Sequence, residues 1–255
     1  MSVRAWYLLT RNQFMGFLRE PAAAIFNLAV PFFIIIVQAF AYGNQPVYAA
    51  DGTLMKLRVV DVLPVSAATM YVIIIGLFGM AVGLASMADS RMLSTFRLRP
   101  GGLASALTAY GAVLLSLTIA GLVLSVAALA IGWRVAFASR PLLLLVLLLA
   151  STVTFLGLGA CVAAVSPSPR SAQGIASALF FPMLFLSGAT YPISGYPRAL
   201  QVVAEVLPGR HVFELISFAW MPADPFPWAS ALYVIIACAV LPPLVGWLFA
   251  RREDL

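Results

Sequence analysis

Asp89-Ser-Arg-Met-Leu-Ser-Thr-Phe-Arg-Leu-Arg-Pro-Gly-Gly102 is the stretch of sequence that decides how this chain is organised. Its four charged residues stand between two long intervals, 62–88 and 100–133, that contain no charged residue. Because a charge inside hydrocarbon is costly, this stretch must lie in water between two membrane spans. Pro100 and the two glycines after it end any short helix within it. The sequence therefore predicts a short hydrophilic loop that suits contact with a soluble partner.

The composition of the whole chain is that of a membrane protein. It is 63% hydrophobic and 9% charged with a mean hydropathy of +1.02, whereas soluble domains have about 25% charged residues. Six intervals without charge exceed the roughly 20 apolar residues that cross a bilayer as a helix. The predicted spans are 22–42, 64–88, 103–132, 141–165, 172–190 and 228–250. We predict an all-α integral membrane protein with a single domain over residues 1–255: an interfacial helix (1–20), a six-span bundle (21–250) and a tail (251–255).

The N-terminal segment has the pattern of an amphipathic helix. Its aromatic side chains fall on one arc at helical spacing, namely Trp6, Tyr7, Phe14 and Phe17. The arginines Arg4, Arg11 and Arg19 fall on the opposite arc. Aromatic rings settle among lipid headgroups and cations meet anionic lipid, so we expect this helix to lie in the plane of the membrane surface.

The distribution of basic residues predicts the orientation. With the N-terminus inside, nine arginines lie in cytoplasmic segments, against six arginines and lysines outside. The positive-inside rule then places both termini and the 89–102 loop in the cytoplasm. Segments 43–63 and 191–227 face outward, and the prolines of 191–227 predict two short outer helices between the fifth and sixth spans. The net charge of +6 follows from topology, and no basic patch suggests nucleic acid.

Two other features have ordinary structural readings. Gly79 and Gly83 are four residues apart in the second span, which allows close helix packing, either within the bundle or at a subunit interface. Cys161 and Cys238 both fall inside predicted spans, where a small soft side chain packs well, and neither a disulfide nor a metal site has support.

The chemistry-bearing residues exclude several functions. Lys56 is the one lysine and no phosphate-binding loop occurs, so the chain does not bind ATP by itself. His211 is the one histidine, and its nearest acid is Glu214, a pair that is more often structural than a metal site. No predicted span holds an ionisable Asp, Glu, Lys, Arg or His. Proton-driven transporters usually place such groups in the membrane, so an external energy source is favoured.

Taken together, these segments resemble a known family. The N-terminal helix, six spans, charged loop after the second span and paired outer helices are similar to type-2 permeases of ATP-binding cassette exporters, the group that includes daunorubicin-resistance and nodulation-factor export permeases. The sharpest local matches are the loop from Asp89 to Pro100 and the segment Phe185-Leu-Ser-Gly-Ala-Thr-Tyr-Pro-Ile-Ser-Gly-Tyr-Pro197. Many members carry Gly-Thr where this chain has Arg91-Met92, so the resemblance does not define the register of the loop helix.

The resemblance implies partners and roles. Two such permeases, identical or paired with a sister chain, would sit on two separate ATPase subunits that hold ATP and Mg, with no cofactor in this chain. In the coupling contact Leu93 and Phe96 would be apolar anchors, because exposed ion pairs alone contribute roughly 0–1 kcal/mol each. Asp89, Arg91 and Arg97 would orient the docking, and Glu20 would flank it. The expected setting is a bacterial cytoplasmic (inner) membrane, surrounded by lipid.

Uncharged, apolar spans suit a hydrophobic or amphipathic cargo such as a drug, a lipid or a glycolipid. Two alternatives remain open at this point. One is a secondary transporter or channel that works without an ATPase. The other is a membrane-embedded enzyme or scaffold, although no catalytic motif favours it.

Overall fold

The computed structural model describes residues 3–18, 21–48, 54–90, 102–221 and 225–251. The elements in chain order are α1 (Val3–Leu18), α2 (Pro21–Tyr42), β1 (Pro46–Tyr48), β2 (Leu54–Arg58), α3 (Val59–Ile73), a π-helical segment (Ile74–Gly79), α4 (Met80–Asp89), α5 (Gly102–Trp133), α6 (Pro141–Val165), α7 (Pro169–Phe185), a short 3-10 turn (Ile193–Gly195), α8 (Arg198–Val206), α9 (Pro208–Trp220) and α10 (Trp228–Ala250).

Within the described ranges, four helices are long and apolar enough to cross a membrane. They are Val59–Asp89, Ala104–Trp133, Pro141–Val165 and Trp228–Ala250. α2 is 22 residues long and apolar from Asn27 to Tyr42, and α7 is 17 residues long. The chain is thus an all-α membrane protein in its coarse architecture, and α2 and α7 are the helices on which a count of six spans depends.

The helix running from 59 to 89 is the centre of the bundle, and we call it the central helix. It comprises α3, the π segment and α4, and 89% of its most apolar stretch is buried. α2 and α5 pack on its first half, α7 packs on α4, and α6 packs along both. Small residues let these neighbours approach closely, as in other membrane helix bundles.

The π segment has a visible packing reason. A Cβ on Gly76 would lie 2.5 Å from Cβ of Phe155, and a Cβ on Gly159 would lie 2.6 Å from the carbonyl oxygen of Gly76. α6 therefore approaches the backbone of the central helix where its hydrogen-bond ladder is wider. Such single π turns occur mostly as insertions within α-helices, frequently at functional sites.

The predicted polar loop 43–63 contains structure that the sequence reading missed. β1 and β2 form a two-stranded antiparallel sheet with Pro46 opposite Arg58. The central helix then begins at Val59, five residues before the predicted start at 64. Asp61 explains this early start, because its carboxylate accepts the backbone N–H of Arg58 at 2.9 Å and so caps the first turn. The expectation of an entirely α-helical chain is corrected to this extent.

The other helix ends lie close to the predicted boundaries with one exception. α6 and α10 occupy 141–165 and 228–250, as the uncharged intervals indicate. α7 ends at Phe185, whereas the predicted fifth span runs to 190. Gly188 follows with a φ of +95°, a conformation open to glycine, and it redirects the chain toward the outer helices.

Candidate functional site: the two polar ends of the bundle

One end of the bundle carries α1 against α5. The indole Nε1 of Trp6 donates to Oγ1 of Thr108 at 3.4 Å, and Phe14 packs on the core. Tyr7 is 61% exposed and Arg11 is exposed as well. Two of the predicted aromatic residues thus contact protein, whereas Tyr7 faces outward; the side chain of Phe17 lies outside the described residues. The placement of this helix in the plane of the membrane stays a prediction.

The same end includes the start of the predicted coupling loop. Asp89 is the last residue of α4 and is exposed, and Ser90 closes the helix by donating its hydroxyl to the carbonyl of Met87 at 3.2 Å. α5 resumes at Gly102, only six residues before the contact between Thr108 and α1. α1 thus contacts the first part of α5, and α5 also contacts α4. The other predicted coupling residues, Glu20, Arg91, Leu93, Phe96 and Arg97, lie outside the described residues.

Between the two ends, Gly79 and Gly83 face α5. A Cβ on Gly83 would lie 2.0 Å from the hydroxyl of Tyr110, and one on Gly79 would lie 2.9 Å from Leu114. The Tyr110 hydroxyl donates to the carbonyl of Gly79 at 3.0 Å, next to the π segment. The two glycines thus make room for a hydrogen-bonded tyrosine of the same chain.

The polar side chains inside the bundle are bound to nearby backbone. Each of four buried threonines donates to the carbonyl one turn before it, at 2.7–3.1 Å: Thr69, Thr118, Thr152 and Thr154. Tyr71 donates to the carbonyl of Leu28 at 3.2 Å and contacts the hydroxyl of Ser125. In the described ranges Ser151 is the intramembrane serine whose buried hydroxyl has no partner.

At the opposite end, two arginines hold helices together through backbone carbonyls. Arg58 pairs with Asp61 at 3.0 Å and donates to the carbonyl of Trp133 at the end of α5. Arg140 donates to the carbonyl of Phe218 at 2.6 Å and lies over its ring. Because the last carbonyls of a helix lack intrahelical partners, these guanidinium groups act as caps supplied from another element.

A polar cluster joins α8, α9 and α10 at this end, and we call it the outer cluster. His211 lies 2.9 Å from the hydroxyl of Ser230 through Nδ1 and 3.0 Å from the carbonyl of Glu205 through Nε2. Ser230 donates to Glu214. Arg210 donates to the other carboxylate oxygen of Glu214 at 2.9 Å. The sequence indicated the His211–Glu214 pair as structural, but it could not show that Ser230, in the first turn of the last helix, bridges them.

The geometry of the outer cluster does not suit nucleophilic catalysis. In a catalytic triad the acid orients the histidine and the histidine activates the serine. Here Glu214 binds the serine directly, and the second histidine nitrogen faces a carbonyl. No group of three or more metal-ligating side chains occurs in the parts of the chain that the structure describes. A shallow cleft of about 190 Å³ lies beside Phe213, Glu214 and Phe218 and is too open for a reaction chamber.

These observations define a multi-pass α-helical membrane protein with a closed apolar interior and two polar ends. A family model described as ABC-2 type transporter matches residues 4–220. The chain belongs to the ABC-2 type transporter family, and the resemblance inferred from its sequence is confirmed. Membership of this family identifies the matched region as the membrane part of a transporter.

A curated relative supports the same assignment. The chain is 34% identical over 104 residues to Nodulation protein J of Rhizobium leguminosarum bv. viciae. The aligned region is 40% of this chain and spans 39% of that protein's length. The relative therefore supports family membership over part of the chain only.

Proposed function

We propose that this chain is the permease subunit of an ATP-driven exporter. Two copies, or one copy and a sister chain, assemble with two separate ATPase subunits that bind ATP and Mg. The observation that carries this proposal is the match of residues 4–220 to a transporter family in a chain without its own phosphate-binding loop. In the proposal, the energy for transport comes from ATP hydrolysis on the separate ATPase subunits.

The arrangement of α1 and α4 supports a place for that ATPase. The end of α4 carries an exposed Asp89, and α1 presents exposed Tyr7 and Arg11 beside the start of α5. The predicted anchors Leu93 and Phe96 belong to the loop between α4 and α5. In the proposal, closure of the ATPases pushes on this loop and on α1, and the central helix carries the displacement into the bundle.

The central helix suits this task because it is in contact with most of the bundle. α2, α5, α6 and α7 all pack on it, so a shift of α4 changes several interfaces at once. Packed helices move as bodies, by small sliding or by rotation, because a closely packed interior does not deform continuously. The cargo path then lies at the interface between two permeases, since the interior of one chain is filled.

The membrane setting completes the proposal. Six spans place the termini and the 89–102 loop in the cytoplasm of a bacterium. The two-stranded sheet of β1 and β2 and the outer cluster then lie on the other side of its inner membrane. The exposed side chains of α2, α7 and α10 are apolar in their middle portions, which suits lipid and a hydrophobic or amphipathic cargo such as a drug, lipid or glycolipid.

The test is isolation of the chain with its partner. The tagged full chain, purified in mild detergent from its native host, should retain a second protein with a phosphate-binding loop, and vesicles that contain both should move cargo only with ATP. Phe96→Ala and Asp89→Arg should leave insertion intact but reduce ATPase association or uncouple hydrolysis from export. Retention of no ATPase, together with flux that follows an ion gradient, would contradict the proposal.

Three variants of α1 test which side of this helix is packed. Trp6→Glu and Phe14→Glu place a carboxylate on the packed side of α1, whereas Asn12→Glu places one on the exposed side. The first two should weaken assembly, and the third should not, because burying a charge is costly.

The orientation in the membrane is tested separately with single cysteines at Ser90 and Ser194, in a background without Cys161 and Cys238. The two introduced cysteines should react from opposite sides of the membrane.

A further inference from the structure

The hydrogen bonds of the outer cluster fix the protons of Ser230 and His211. Ser230 is fully buried, and its hydroxyl donates to a carboxylate oxygen of Glu214, which only accepts. A serine hydroxyl has one proton to donate, so toward His211 the same oxygen is an acceptor. Nδ1 of His211, 2.9 Å away, must therefore carry a proton.

The second ring nitrogen is constrained in the same way. Nε2 of His211 lies 3.0 Å from the carbonyl oxygen of Glu205, the penultimate residue of α8. A carbonyl oxygen accepts and never donates, so Nε2 must also carry a proton. Both bonds are complete only when the ring is the charged imidazolium.

Charged and aromatic groups surround the ring of His211 and the carboxylate of Glu214. Arg210 donates to Glu214 at 2.9 Å and lies 3.8 Å from the carboxylate of Glu205. An adjacent guanidinium stabilises a carboxylate in its charged form. With His211 charged, two cations face two carboxylates. The ring also stacks on Tyr233 with centroids 4.1 Å apart, a placement that is favourable for a cation.

We propose that His211 is a proton-binding site whose occupancy fastens α8 and α9 to the last membrane helix. The charged ring binds α8 through Glu205 and α10 through Ser230. A neutral ring has one proton for these two acceptors, so one of the links is lost. The outer helices are then tethered at low pH and released at high pH, within the range in which histidine changes its charge. This inference is independent of any ATPase.

The groups that face the ring come from three helices. Glu205 belongs to α8, Arg210 and Glu214 to α9, and Tyr233 to α10. α3, α6 and α7 also pack on α9, but in the described ranges the hydrogen bonds and the ring contact of His211 go to Glu205, Ser230 and Tyr233. Tyr233 itself donates to the carbonyl of Val206 at 3.0 Å, which is a pH-independent second link between α8 and α10. Release is therefore a loosening and not a dissociation.

The test uses the fact that the chain has one histidine. Full-length protein labelled with ¹⁵N-histidine in lipid nanodiscs gives the signals of His211 alone. The two ring nitrogens resonate close together in an imidazolium and far apart in a neutral ring. We expect the imidazolium at about pH 6 and the neutral ring at alkaline pH. A neutral single tautomer at about pH 6 would overturn the proposal.

Matched variants show whether the cluster holds the proton. At one fixed pH, Ser230→Ala and Glu214→Gln should each lower the fraction of charged rings below that of the parent, because each removes a partner of the charged ring. Ser217→Ala, the same change on α9 outside the cluster, should leave the parent fraction, and Ser230→Thr should restore it. Equal fractions in all four proteins would contradict the assignment.

A distance measurement tests the tether itself. Spin labels at Val202 on α8 and Leu232 on α10 are on exposed positions, in a background without Cys161 and Cys238. The distance distribution should be narrow in acid and broader in alkali for the parent, and broad at both pH values for Ser230→Ala. A distribution that is the same in all four conditions would show that protonation does not fasten the helices.

Discussion

The central helix and α10 are both long apolar helices, yet their surroundings differ sharply. In the central helix, 89% of the most apolar stretch is buried by the rest of the chain, and in α10 only 22% is. Both helices have a length and a composition that allow them to cross a membrane. Hydropathy therefore identifies a span, but it does not tell whether the span faces protein or lipid.

The contrast has a cause in side-chain size. The central helix carries Gly76, Gly79 and Gly83 where Phe155, Leu114 and Tyr110 approach, so neighbours surround it. α10 instead packs closely along one line, where Gly157 of α6 meets Leu241 and Thr154 meets Cys238. Several of its other large residues, including Leu232 and Ile235, are more than half exposed. Lipid tails are as apolar as leucine, so such a face is stable without protein cover.

The largest expected effect is loss of a large side chain from the central helix. Leu84 is fully buried, and Leu84→Ala should lower the free energy of unfolding by about 2–5 kcal/mol, because a cavity is left in a packed interior. Leu232→Ala on α10 is the matched change at a residue 58% exposed and should cost less than about 0.5 kcal/mol. Unfolding in mixed micelles measures both.

Two outcomes would alter the comparison. Equal losses for Leu84→Ala and Leu232→Ala would mean that the packing of the central helix contributes nothing beyond its composition. A normal unfolding free energy but a lower dimer fraction for Leu232→Ala, measured by cross-linking, would place a second chain on α10 instead of lipid.

A glycine substitution should have the next largest effect. A Cβ on Gly76 meets both Cβ and the carbonyl carbon of Phe155, at 2.5 and 3.2 Å, so Gly76→Ala should force α6 away and cost about 1–3 kcal/mol. Gly246→Ala on α10 has nothing within 4 Å of the new atom and should be neutral or slightly stabilising, since alanine favours a helix. Thermal unfolding in detergent compares the two, and a stable Gly76→Ala would argue against close contact with α6.

A buried hydroxyl should contribute less. Tyr71→Phe removes the bonds to the Leu28 carbonyl and the Ser125 hydroxyl and should cost about 1 kcal/mol. In combination with Ser125→Ala the loss should be less than the sum of the two single losses, because the two side chains share a bond. Strict additivity in this double-mutant cycle would show that Tyr71 and Ser125 do not interact.

The smallest effect is expected at the exposed end of α10. The guanidinium of Arg251 lies 3.9 Å from the ring centroid of Trp247, which is 49% exposed. Trp247→Leu keeps an apolar side chain and removes this contact, so the loss of stability should stay below about 1 kcal/mol. A loss as large as that of Leu84→Ala would mean that a protein surface covers this end of the helix.

The position of the predicted coupling loop follows from the charge pattern of the sequence. The four charges of 89–102 are visible because everything around them is apolar, and Asp89 does lie exposed at a helix end. The outer cluster was not predictable in the same way. Its first and last members, Glu205 and Ser230, are 25 residues apart in the sequence. Only the folding of α8 and α9 back onto α10 brings them together.

By itself, the sequence determined that this protein is a multi-pass membrane protein, that α6 and α10 occupy 141–165 and 228–250, and that it resembles the ABC-2 type permeases. These features follow from hydropathy and charge along the chain, which each residue contributes independently. Only the tertiary structure decided which helix is central, where a π segment accommodates α6, and how one serine joins a histidine to a glutamate. Those features depend on contacts between residues distant in sequence, and side chains of similar hydropathy can make or avoid such contacts according to their shape.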